Sequence, residues 1–252
     1  MKDYSQSMEK FEKIRVVLIE PETEGNIGFL ARAMKNFGLK ELYLVNTKTK
    51  IGDTARAFAS HAYDLLQNAV YTKNVVEAIQ GVNTVVGTTS VKAKRSLNIK
   101  RNTIDVKKFA SNLITNSSIG LLFGRESSGL TNKEIDLCDF SLTIPTSPEY
   151  PAMNVSHAAT IVFYEVYTTL TQNTENLTSE AKRREKERLI DYFVETATKA
   201  GLKNHKIFLV KRSFRNVIGR SFLTSREATT LMGAYRKILR ALKGMEKYDK
   251  KH

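Results

Sequence analysis

The sequence predicts an α/β fold, a mostly parallel sheet covered on both faces, followed by a small all-α part rich in positive charge. Three observations predict it. Short apolar, β-branched runs alternate with segments of helical spacing through the first 170 residues, the pattern of strands buried on both faces and joined by helices. That pattern stops near residue 171, and no strand pattern follows it. Net charge changes at the same place: 20 basic and 17 acidic residues over 1–170 give +3, whereas 20 and 9 over 171–252 give +11.

The elements follow in order. IRVVLIE (14–20) reads as a buried strand ended by Pro21. Residues 25–37 have helical spacing and close on Gly38, a residue suited to a C-cap. ELYLV (41–45) is a second strand, helical stretches follow near 53–67 and 75–80, and TVVG (84–87) is another strand. A basic loop covers 90–102, a helix 106–113, and SIGLLF (118–123) a buried strand. Thr131-x-x-Glu134 has the form of a capping box. A strand over 140–144 and a long helix over 154–170 complete this part. The polar segment TQNTENLTS (171–179) reads as a linker between domains 1–170 and 180–252. Beyond it, helices are expected over 180–199 and 206–218, and from a second capping box, Thr224-x-x-Glu227, to about residue 243.

Composition narrows the function. The 252 residues with 41% hydrophobic content can bury a core, which excludes a disordered chain. A lone cysteine, Cys138, excludes an internal disulfide and a Cys-rich metal site, and no metal is expected. Residues 1–13 are polar, unlike a signal peptide, and no apolar run approaches the ~20 residues that span a bilayer. A cytoplasmic protein without a membrane segment is expected. The segment of charge +11 would attract a polyanion, either nucleic acid or an anionic membrane surface, or would simply be a solvated helical face.

Three segments could carry chemistry. In PETEGNIGFLARAMKNFG (21–38), Gly25 and Gly28 permit close backbone approach, and Asn26 could cap the helix. Only G-x-x-G is present, so a dinucleotide-binding loop is a weak reading. Arg32 interrupts an apolar stretch. It is either an exposed helix arginine or a fork for a phosphate. In LLFGRESSGL (121–130) a strand ends at Gly124, where α/β sheets bind ligands, and Glu126 is either a surface acid, an arginine partner or a functional group. In IPTSPEYPAMNVSHA (144–158) three of the chain's four prolines stiffen one loop, and Asn154 or Ser156 then starts a helix as a cap or as part of a site.

These segments, in this order, resemble the three motifs of the SPOUT superfamily of RNA methyltransferases, most closely its TrmJ-like branch of tRNA 2'-O-methyltransferases. With the GTTS turn (87–90), the resemblance covers about residues 14–170. It implies an α/β sheet whose C-terminal part forms a deep trefoil knot, a homodimer with active sites completed across the interface, and S-adenosylmethionine as methyl donor. It implies donor contacts from Thr88, Thr89, Ser90, Gly124, Ile144, Pro151, Ala152 and Met153. It places Asn26, Arg32, Glu126, Asn154 and Ser156 on active-site positions. Pro151-Ala152-Met153 departs from the Ser-Ser-Leu frequent in bacterial relatives, so donor contact there would come from backbone. Arg32 would grip the phosphate beside the target ribose and stabilise charge on the attacking oxygen. The basic part would bind tRNA through Lys182, Arg183, Arg184, Arg212, Arg215, Arg236 and Arg240. The target implied is position 32 of the anticodon loop. A ribosomal RNA target, another tRNA position, or a non-catalytic RNA-binding protein are the alternatives.

Overall fold

In a computed structural model of the chain, which describes residue 11 and residues 13–90, 103–111, 113, 118–172 and 180–249, the apolar runs become one parallel sheet. Its strands are β1 (Ile14–Ile19), β2 (Glu41–Val45), β3 (Val70–Thr72), β4 (Thr84–Thr88), β5 (Thr103–Asp105), β6 (Ile119–Phe123) and β7 (Phe140–Thr143). They lie in the order β3-β2-β1-β6-β4-β7-β5, and every pairing is parallel. Parallel strands need crossovers. These are supplied by α1 (Glu24–Asn36), α2 (Asp53–Ala59), α3 (Tyr63–Gln67), α4 (Val75–Ala78), α5 (Val106–Ser111) and α6 (Asn132–Leu137), with α7 (Val155–Gln172) after β7.

Alternation along each strand feeds two apolar layers. Val16, Leu18, Leu44, Leu121 and Phe123 face α1, α5 and α7, where Leu30, Met34, Phe109, Val162 and Phe163 complete the larger core. Val17, Ile19, Val45, Val85 and Leu122 face α4 and α6 across Val75, Ile79 and Ile135. Covered on both faces, the inner strands are rich in apolar residues, and the predicted α/β class is the observed one.

Two details differ from expectation, and a third agrees. The 53–67 stretch breaks into α2, a short 3-10 turn (Ser60–Ala62) and α3, because Ser60 takes a left-handed backbone with φ of 52°. Asn26 is not the cap of α1, since Thr23 holds that position and Asn26 lies inside the first turn. The Thr131 capping box forms as predicted, with Glu134 reaching back to the Thr131 amide. The expected linker falls largely on residues outside those described, as does most of the basic loop over 90–102.

The last helices are α8 (Arg183–Lys199), α9 (Asn204–Arg220) and α10 (Ser225–Asp249). They pack around Leu189, Ile218, Leu223 and Ala228, with Phe193 stacked on Phe214 at 4.0 Å. They dock on the starts of β4 and β7 through polar groups. Lys186, buried to 2% exposure, pairs with the buried Glu180 and donates to Thr84 Oγ1 at 2.8 Å. Gly219 sits so close to Asp139 that an added Cβ would come within 2.8 Å of it.

This docking corrects the expectation for three arginines. Arg212 is only 4% exposed and donates to the carbonyls of Cys138 at 2.8 Å and Ile135 at 3.0 Å, at the end of α6. Carbonyls at a helix C-terminus lack intrahelical partners and carry partial negative charge, so a guanidinium satisfies them. Arg183 donates to Asp139 and to the Leu137 carbonyl, and Arg215 forks onto Glu187. These three bind the chain itself. Lys182, Arg184, Arg236 and Arg240 are exposed.

Candidate active site

The carboxyl ends of β4, β6 and β7 open onto a cavity of about 310 Å³. Thr88, Thr89, Ser90, Gly124, Ile144, Pro151, Ala152 and Met153 all line it. Its wall also includes residues that the motif comparison did not single out: Leu130, Leu142, Val155, Ala158 and Val162 as apolar surface, and Ser127, Ser128 and Thr146 as hydroxyls. Alternating periodicity of β7 and helical periodicity of α7 could have marked the apolar ones as core, not as cavity wall.

The turn after β6 is shaped by close backbone packing. A Cβ on Gly124 would stand 2.2 Å from the Gly129 carbonyl carbon, and Gly129 itself has φ of 67°. Arg125 fastens this turn by an ion pair to Glu134 at 3.0 Å and another to Glu20 at 2.8 Å. The hydrogen bonds that Arg125 donates to Glu134 and Glu20 raise its pKa further. Burial alone would raise the Glu134 carboxyl, but Arg125 and the Thr131 amide outweigh it and hold it below the usual range. Two glutamates then stitch the turn to the start of α1. Glu22 accepts from the Ser127 amide at 3.1 Å. Glu126 accepts from the Glu22 amide at 2.9 Å and the Thr23 amide at 3.3 Å.

Glu126 also begins a chain of side chains that spans three segments. Its Oε1 accepts from Asn26 Nδ2 at 2.9 Å. Asn26 Oδ1 in turn accepts from Asn154 Nδ2 at 2.9 Å. Asn154 Oδ1 accepts from the Ser156 amide at 2.9 Å and hydroxyl at 2.7 Å. Asn154 is thus both the cap of α7 and a member of this chain, so the two readings open for it are compatible. Each amide is oriented by its neighbours, and the chain meets the cavity wall at Glu126.

Arg32 is not brought to this cluster. It is exposed, and its side chain makes no hydrogen bond or ion pair with another described residue. Six residues after Asn26, it points roughly 120° away from it around α1. It shares a face with Gly25 and Phe29, and Phe29 stacks on Phe58 at 4.4 Å, the two residues being 43% and 38% exposed.

The sheet, the cavity at its carboxyl edge and the three motif segments around it match a known family. The family described as SpoU rRNA Methylase matches residues 13–164. The chain belongs to the SpoU rRNA methylase family. Within it the chain is similar to the tRNA (cytidine-2'-O-)-methyltransferase TrmJ of Methanocaldococcus jannaschii, 39% identical over 227 residues that cover 88% of this chain and 98% of the relative. Among solved structures it is similar to TrmJ from Z. mobilis ZM4, at 28% identity and a TM-score of 0.63 over 89% of this chain and 98% of that one. A "probable methylase family protein" of Haemophilus influenzae Rd KW20 aligns with a TM-score of 0.66 and 28% identity, covering 93% of this chain and 99% of that one. The chain is thus a methyltransferase of the TrmJ type, as the resemblance to the SPOUT motifs implied.

Proposed function

We propose that the protein transfers a methyl group from S-adenosylmethionine to a ribose 2'-OH in tRNA, at position 32 of the anticodon loop. The observation that carries this reading is the Glu126–Asn26–Asn154–Ser156 chain beside the cavity. The similarity to a curated tRNA 2'-O-methyltransferase over nearly the whole of both chains supports tRNA over ribosomal RNA.

The cavity suits the donor. Leu130, Leu142, Ile144 and Val162 offer an apolar wall for an adenine, while the 88–90 and 127–128 hydroxyls suit a ribose and an amino-acid tail. Bound there, S-adenosylmethionine would supply a methyl group on a good leaving group. What remains for the protein is alignment of the attacking oxygen and stabilisation of its developing charge. Asn26 and Asn154, locked by their mutual bond and by Glu126, position the acceptor ribose, and Ser156 holds Asn154 in that orientation. Arg32 of the partner subunit completes the site in a homodimer, gripping the adjacent phosphate. Two facts support that arrangement: Arg32 faces away from its own cavity, and Phe29 and Phe58 leave an exposed apolar face beside it. The deep trefoil knot is proposed with the family likeness, as is a cytoplasmic location. No helix among the described residues is long and apolar enough to cross a membrane. The last three helices add RNA affinity.

The test is to map 2'-O-methyl groups on tRNA incubated with protein and S-adenosylmethionine. Methylation confined to position 32 is expected. Incorporation only into ribosomal RNA, or at another tRNA position, would reject the assignment.

A further inference from the structure

Helix α10 presents three different faces. Using 100° per residue, Ala228, Met232, Tyr235 and Leu239 form the side turned to α8 and the bundle core. Leu231 and Ile238 lie on a partly exposed apolar side. The third side carries Arg226, Thr229, Thr230, Gly233, Arg236, Lys237 and Arg240, within an arc of roughly 120° and over about 21 Å of helix. All but Gly233 are exposed. The one acidic residue from 226 to 240, Glu227, falls outside that arc. Among the described residues, the side chains of Arg226, Lys237 and Arg240 make no hydrogen bond or ion pair, and that of Arg236 donates only to the Met232 carbonyl one turn back. The cations of this side therefore remain available, unlike those of Arg183, Arg212 and Arg215.

Gly233 stands at the centre of this arc, and no described residue crowds it. A Cβ there would meet no atom within 4 Å, and its φ is not in the left-handed region. Glycine inside a helix is destabilising relative to alanine. A glycine with open space above it, ringed by four cations and two threonines, leaves the helix backbone bare where an anionic partner would lie closest.

We propose that this face of α10 is the seat of the RNA sugar–phosphate backbone. The backbone passes over Gly233 in close contact with the helix, with Arg226 on one side and Arg236, Lys237 and Arg240 on the other. This rests on the reading of the protein as a tRNA methyltransferase. Charge complementarity selects a polyanion over a second copy of the chain, whose matching face would repel this one.

The experiment compares full-length wild type with Gly233→Ala, Gly233→Leu and the double variant Arg236→Gln/Arg240→Gln. It measures thermal unfolding, binding of fluorescent tRNA across a salt series, and binding to vesicles containing phosphatidylserine. Both glycine variants should raise Tm, by about 2–4 °C for alanine. The leucine variant should nevertheless bind tRNA at least about tenfold more weakly, equivalent to about 1.4 kcal/mol. The double variant should lower the slope of log K against log salt by about 1.4–1.8. Wild-type affinity in a stabilised Gly233→Leu protein overturns the proposal while leaving the tRNA reading intact. Loss of vesicle binding without loss of tRNA binding overturns it in favour of a membrane surface. A wild-type protein that binds no tRNA overturns the tRNA reading itself, and the proposal with it.

Discussion

Replacing Lys186 by methionine tests how the last three helices are held. The ammonium lies at 2% exposure against a Glu180 side chain at 0%. Its other contact is Thr84 Oγ1, which donates to the same carboxylate oxygen at 2.7 Å. Glu180 Oε2 is buried and accepts no hydrogen bond from a described residue. Methionine keeps the length and removes the charge, leaving a buried carboxylate with one hydroxyl donor. Removing one member of a buried pair costs about 3–5 kcal/mol, which for a chain of this size lowers Tm by roughly 6–20 °C. A second variant isolates the cause. Glu180→Gln on top of Lys186→Met removes the stranded charge, and an amide can still pair with Thr84, so most of the loss should be recovered. The assay is thermal unfolding of wild type, both single variants and the double variant, with limited proteolysis to follow release of the helices. A single-variant loss below about 1 kcal/mol, or a double variant no better than Lys186→Met alone, would refute the claim that a compensated buried charge pair fastens this part of the chain.

Two further outcomes follow from the site. Glu126→Gln puts an amide nitrogen against donors from Glu22, Thr23 and Asn26. It should release Asn26 and lower kcat on tRNA about 100-fold, as expected for misplacement of a positioning group. Steady-state kinetics check it, and a change under threefold would remove Glu126 from the mechanism. Burial, with the neighbouring Asp139 charge, pushes the Cys138 thiol up to about 12. Iodoacetamide at pH 8 should therefore leave the native protein unlabelled and modify it fully in denaturant, as read by intact mass.

The strands β1, β2, β4, β6 and β7 were legible because each is a short, mostly buried segment rich in apolar residues. The other two, β3 and β5, were not. Each has three residues, lies at an edge of the sheet and is partly exposed, so neither builds an apolar run that stands out from a loop. The site divides in the same way. Segments 21–38, 121–130 and 144–158 were recognisable, but the bonds that join them cross 100 residues from Asn26 to Glu126 and 128 from Asn26 to Asn154. Local spacing contains no information about such a contact. Arg212 shows the limit most clearly. Its charge matched an RNA-facing residue, whereas the α6 carbonyls that hold it lie 74 and 77 residues earlier.

The position of Arg32 makes the proposed homodimer open to a decisive test. Asn154 faces the cavity cluster of its own chain, and Arg32 points away from it on the Phe29 face. If each site takes Asn154 from one subunit and Arg32 from the other, the two residues complement between chains. Arg32→Ala and Asn154→Ala homodimers should each be nearly inactive. Unfolding and refolding an equal mixture makes about half of the dimers mixed. Each mixed dimer then carries one site with both residues intact and one site lacking both. About a quarter of wild-type turnover should return, from the symmetry of a two-fold interface. Sites built within one chain give no recovery, because every site in the mixture then lacks one residue. Recovery to about a quarter supports trans assembly, and a mixture as inactive as its parents, with mixed dimers verified by differential tagging, refutes it.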